Sequence, residues 1–132
     1  FLLVDPDGNR LPGSLWAQYG LAGVLEYEGF VRDVTAAAAS AGVGIEQFHP
    51  EYGINQFEIS LTPPKSPVAA ADQLILARII ISRVARKYGM RVSLSPPVPF
   101  AGSVGSGAHQ HFFSLLRGDT PRCSPVAPAP RA

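Results

Sequence analysis

Residues 43–61 read Val43-Gly44-Ile45-Glu46-Gln47-Phe48-His49-Pro50-Glu51-Tyr52-Gly53-Ile54-Asn55-Gln56-Phe57-Glu58-Ile59-Ser60-Leu61, and this stretch decides the fold. In its second half Phe57, Ile59 and Leu61 alternate with Gln56, Glu58 and Ser60. Side chains on a strand alternate between faces, so the apolar three share one face and the polar three the other. Residues 43–50 form the partner strand, with a short turn at Gly53. That hairpin returns Glu51 close to Gln56 and Glu58. Two carboxylates on one polar face repel unless they share a cation or a proton. A hard cation such as Mg²⁺ takes oxygen ligands of this kind. Two solvated strand carboxylates are the plainer alternative at this point.

Outward from the hairpin, Pro63-Pro64 ends the second strand. Ser66-Pro67 supplies an N-cap and a first helical position. A helix follows over 68–88, with Ala71, Leu74, Ile75, Ile79, Val84 and Tyr88 as its apolar face and Gly89 as its stop. Leu74, Ile75 and Ile79 are expected to bury against Phe57, Ile59 and Leu61. A strand over 90–95 is closed by Pro96, Pro97 and Pro99; a glycine-rich loop spans 102–107, and a loosely alternating strand spans 108–116. At the other end, Phe1-Leu2-Leu3-Val4 reads as a strand tail before the turn Asp5-Pro6-Asp7-Gly8. Residues 9–30, with Gly13, Gly20, Gly23 and Gly29, read as loop. Asp33 caps a helix over 34–41, closed by Gly42. The fold class is α+β, an antiparallel sheet with packed helices.

The 132 residues amount to one domain or a piece of a larger one. Charged residues are 16% of the chain, below the roughly 25% usual in soluble domains, which implies surface covered by further chain or by other subunits. Net charge is +1, so no field for nucleic acid arises. One cysteine, Cys123, excludes an internal disulfide framework and a cysteine zinc cluster. The apolar stretch 67–88 carries too many charges to span a membrane. The only methionine is Met90 and no signal peptide is visible, which reads as a piece cut at its N-terminus. Residues 118–132 turn Pro- and Ala-rich without periodicity, as expected of a disordered tail or a foreign end.

Two further clusters carry chemistry. On a strand, His109-Gln110-His111 would put both rings on one face, toward a metal or a phosphate. Just before it, Gly105-Ser106-Gly107 lets backbone N–H groups approach an anion. Each is weak alone, with solvent exposure and a plain turn as the alternatives.

The ordered array is specific. Glu51, then Gln56-Phe57-Glu58, a helix of some twenty residues opening with Ala71-Asp72 and closing with Ala85 and Gly89, a Pro-rich strand end, and Gly105-Ser106-Gly107-Ala108-His109-Gln110-His111 follow one another. This array resembles the glutamine synthetase family over residues 1–117, as part of its catalytic domain.

The resemblance implies an ATP-dependent ligase that joins the γ-carboxylate of glutamate to ammonia through a γ-glutamyl phosphate. It implies Mg²⁺ or Mn²⁺ as cation. By position Glu51 and Glu58 match ligands of the cation beside glutamate, and His109 a ligand of the cation beside the nucleotide. His111 and Glu46 match nucleotide-side residues, Ser114 matches less directly, and Gly105 matches the loop glycine that meets glutamate through its backbone. Gln56 matches a structural glutamine of the motif. No catalytic acid or base is assigned. The family also implies a cytoplasmic homo-oligomer with active sites shared between subunits, and no nucleic-acid or membrane partner.

The chain departs from the pattern at four places. Asn55 stands for a glycine, and Val104 for an asparagine that contacts glutamate. Val98 replaces a lysine between prolines, and Phe113 is inserted before Ser114. These changes keep a γ-glutamyl–amine ligase open beside the ammonia enzyme. A catalytically inactive homologue that still binds metal or nucleotide is a further alternative. A guanidino-kinase-type phosphotransferase is disfavoured because a His-x-His metal loop is not its pattern, and a mononuclear metal hydrolase using Glu58 with His109 and His111 is a last alternative outside the family. Further ligands of the family lie outside these residues, so the piece alone is expected to be inactive.

Overall fold

A computed structural model of the chain describes residues 1–13, 18–97, 100, 103–111, 113–114 and 122–123. The elements run β1 (Leu2–Val4), α1 (Leu21–Glu26), α2 (Glu28–Ser40), β2 (Ile45–Pro50), β3 (Phe57–Leu61), α3 (Pro67–Lys87), β4 (Arg91–Ser93), β5 (Phe113–Ser114) and β6 (Arg122–Cys123). Three antiparallel pairs form among the described residues: β1 with β4, β2 with β3, and β5 with β6.

The central hairpin forms as its alternation dictates. Phe48 faces Ile59, His49 faces Glu58, and Pro50 faces Phe57. The register slips between Ile45 and Gln47, which leaves Glu46 as the extra residue of a β-bulge. The turn is closed by Glu51 N–H donating to the Gln56 carbonyl at 2.9 Å and Gln56 N–H donating to the Gly53 carbonyl at 3.0 Å. β1 lies alongside its far end: Leu3 N–H donates to the Asn55 carbonyl and Phe57 N–H to the Phe1 carbonyl, both at 2.9 Å.

The core gathers Leu3, Phe30, Val34, Phe57, Ile81, Val84, Ala85 and Met90. Phe1, Phe30, Phe48 and Phe57 meet there with ring centroids 5.7–6.4 Å apart. A smaller cluster of Ala38, Val43 and Ala77 lets α2 and α3 approach closely. α3 begins as its sequence dictates: the Ser66 hydroxyl accepts the Ala69 N–H at 3.2 Å, and Pro67 follows. It ends before Gly89, whose φ is +67°; Gly42 closes α2 in the same way at +73°.

Four expectations are corrected. Residues 21–26 and 28–30 are helical, not loop; Gly23 is buried within α1, and Gly29 lies where the Tyr88 ring at the end of α3 approaches α2. Asp33 lies inside α2 and caps nothing; its carboxylate accepts the Tyr88 hydroxyl at 3.1 Å. The buried face of α3 is Ala77, Ile81, Val84 and Ala85, while Ile75 and Ile79 are 57% and 47% exposed. Small residues at Ala77 and Ala85 admit the neighbouring elements, and that rotates the larger isoleucines outward. Of the strand expected over 108–116, Phe113–Ser114 forms, residues 108–111 have no regular structure, and residue 112 lies outside the described residues. Its end over 115–116, Pro99 of the strand-closing prolines and most of 118–132 lie outside the described residues.

Candidate metal centre

Three side chains meet on the polar side of the hairpin: His49, Glu51 and Glu58, with one possible ligand atom from each lying within 4.8 Å of the others. β-Pairing explains this. His49 and Glu58 are directly opposite across the strands, and Glu51 is two residues beyond His49, on the same side by the strand period. His49 Nδ1 lies 3.9 Å from a Glu51 oxygen and 3.3 Å from the Pro50 carbonyl. In the tautomer whose Nδ1–H donates to the Pro50 carbonyl, Nε2 keeps its lone pair available.

Glu51 is held in place. The Gln18 amide nitrogen reaches its two oxygens at 3.5 and 3.3 Å, and the Tyr52 N–H donates to Oε2 at 3.2 Å. Tyr19 packs edge-on against the His49 ring, centroids 4.6 Å apart, with its own backbone at φ +59°. The Tyr19 phenol is pushed up by desolvation, and further by the negative charges of Glu51 and Glu58. An open cleft of about 670 Å³ is lined by Tyr19, Glu46, Gln47, Phe48, His49 and Glu58. Glu46 reaches this cleft because of the bulge; in unbroken alternation it would share the core-facing side of Phe48.

The donor set is two carboxylates and one imidazole. Oxygen donors with one nitrogen suit Mg²⁺ or Mn²⁺, and like charges brought together are what a cation relieves.

The glycine loop is tied to the hairpin by Gln56, whose amide nitrogen lies 3.2 Å from the carbonyl oxygens of Val104 and Gly105. His109 and His111 are both exposed, and neither joins the His49–Glu51–Glu58 group. Ser114 lies on β5, opposite Arg122. The structure thus brings Glu46 and Glu58 to one cleft, groups Glu51 with Glu58 beside it, and ties Gly105 to the same hairpin. It does not bring His109 and His111 into the three-residue group. His49 was missed by sequence reasoning, although its spacing from Glu51 on a strand was signal enough. Gln18 and Tyr19 had no such signal, lying some thirty residues away in a stretch that reads as loop.

A family model described as glutamine synthetase, catalytic domain, matches residues 11–124. The chain is 43% identical over 132 residues to a gamma-glutamylpolyamine synthetase, GlnA3, of Streptomyces coelicolor, an alignment covering 95% of this chain and 28% of that protein. It is 39% identical to a glutamine synthetase of Kluyveromyces lactis, over 66% of this chain and 24% of the relative. Among solved structures, apo GmaS without ligand superposes with a TM-score of 0.78 at 22% identity, covering 91% of this chain and 29% of that one. The chain therefore spans under a third of the length of these relatives.

Proposed function

The chain belongs to the glutamine synthetase family, and on that footing we propose that the whole protein is an ATP-dependent ligase joining the γ-carboxylate of glutamate to an amine. The observation that carries this is the convergence of His49, Glu51 and Glu58 on the polar face of the hairpin. A small amine is favoured as acceptor by the 43% identity to a polyamine synthetase over nearly the whole chain. Ammonia is the second reading, supported by the 39% identity to a glutamine synthetase.

In the reaction, a glutamate γ-carboxylate oxygen attacks the γ-phosphorus of ATP and ADP leaves. The amine nitrogen then displaces phosphate from the γ-glutamyl phosphate. Glu51 and Glu58, with His49, would hold a divalent cation on the acid side, and His109 would serve a second on the nucleotide side. Such cations draw the acceptor oxygen toward the phosphoryl group and offset the charge that builds up during transfer. Gln18 and Tyr52 hold the Glu51 carboxylate beside His49 and Glu58. Glu46 and His111, with Ser114, face the nucleotide in this reading, and Gly105 meets the acid through its backbone. Among the described residues no helix is long and apolar enough to cross a membrane. A cytoplasmic homo-oligomer with shared sites completes the proposal.

The test is ADP release by the full-length protein with glutamate, Mg²⁺ and either ammonia, a monoamine or a polyamine. Turnover is expected with an amine and to depend on glutamate. Turnover with ammonia alone selects the second reading, and ATP hydrolysis indifferent to glutamate overturns both.

A further inference from the structure

We propose that Gln56 is a positioning residue: it fastens the glycine loop to the metal hairpin and aims the N–H groups of Gly105 and Ser106 together at the substrate's acid group. Gln56 is 3% exposed, and both ends of its amide are engaged. Oε1 accepts the Gly53 N–H at 2.9 Å. Nε2 lies 3.2 Å from the Val104 carbonyl oxygen, 3.2 Å from the Gly105 carbonyl oxygen and 3.5 Å from Ser106 Oγ. Its two amide hydrogens thus serve two successive peptide carbonyls.

A trans peptide unit points its C=O and N–H in opposite directions, and the described residues contain no cis bond. The Val104 carbonyl facing Gln56 therefore turns the Gly105 N–H away from it. The Gly105 carbonyl does the same for the Ser106 N–H. Neither N–H donates to the backbone of another described residue. Two successive N–H groups turned outward suit a carboxylate.

Gln56 is also one residue before β3 and two before Glu58. The run that places the cation ligand therefore places the loop. A glutamate at this position could not donate, and an asparagine is one methylene short. The inference rests on the reading of residues 105–107 as the acid-substrate side.

In the full-length protein, Gln56→Glu keeps the shape and the acceptor for Gly53 while setting a carboxylate against two carbonyls. The KM for glutamate is expected to rise about 10–100-fold. The KM for ATP and the Kd for Mn²⁺ should stay unchanged. Hydrogen exchange at residues 104–106 should quicken while exchange in α3 does not. An unchanged glutamate KM overturns the aiming, whatever the exchange shows. Unchanged loop exchange, or a parallel rise in every constant with a lowered Tm, overturns the fastening. A wild type without glutamate-dependent ADP release defeats the ligase reading instead, and the exchange comparison then still decides the fastening. Should Gln56→Glu not fold, Gln56→Asn is read the same way, with wild-type KM and exchange as the contradicting result.

Discussion

Asn55 holds φ at +61°, in the left-handed region where glycine is at ease and asparagine is tolerated better than most residues. Its side chain is fully buried and accepts the Tyr27 hydroxyl at 2.9 Å while donating to the Leu11 and Pro12 carbonyls at 3.1 and 3.4 Å. An ideal Cβ on Gly13 would fall 2.6 Å from Asn55 Oδ1, so the two positions are matched. The departure from the family glycine thus keeps the turn and adds a tie to the 11–13 segment. Asn55→Ala should lower stability by about 1–3 kcal/mol in urea titrations, through buried polar groups that lose a partner. Asn55→Gly should cost less, because it also relieves the backbone.

Asp5 gives a pH prediction. Its carboxyl is held below the ordinary 3.8, first by the Asn9 backbone N–H and then by the Asn9 side chain and the Asp7 and Gly8 N–H groups. A depressed carboxyl adds stability above its unfolded value and loses it as pH falls through its folded value. The stability gap between wild type and Asp5→Asn should therefore be present at neutral pH and close in acid, as read by denaturation at a series of pH values. Glu51 and Glu58 were legible because alternation and a turn suffice to pair them. Glu46 was placed only by the family pattern, since the bulge that re-aims it leaves no mark in the sequence.

At the level of elements, α3 shows what apolar content leaves undecided. Ile79 and Ile81 are two residues apart, yet Ile81 is 3% exposed and Ile79 is half open. Ile81→Ala should cost about 2–5 kcal/mol, as usual for a buried isoleucine. Ile79→Ala should cost clearly less in the same urea titrations. The sequence marks the helix and both its ends, since Ser66, Pro67 and Gly89 act locally. It does not mark the rotation, because that depends on α2 meeting Ala77 across Ala38. The start of α2 is hidden in the sequence for a related reason. Gly29 looks like a helix breaker, but it lies where the Tyr88 ring approaches: an ideal Cβ would sit 2.9 Å from the Tyr88 hydroxyl oxygen.

On the scale of the whole molecule, the chain spans 28% of the polyamine synthetase it aligns with. The proposed ligase activity is a property of the full-length protein, and residues 1–132 alone are expected to release no ADP with glutamate, Mg²⁺ and any amine. In the proposed reaction, phosphoryl transfer depends on a cation held by the hairpin carboxylates. Glu58 is exposed on β3, so its removal costs little packing. The direct measurement is glutamate- and amine-dependent ADP release by full-length wild type and full-length Glu58→Ala, with circular dichroism confirming that both are folded. Turnover should fall by about 10²–10³, or roughly 2.7–4 kcal/mol of barrier, in the folded variant. Turnover equal to wild type in a folded Glu58→Ala protein would contradict a cation role for the hairpin carboxylates.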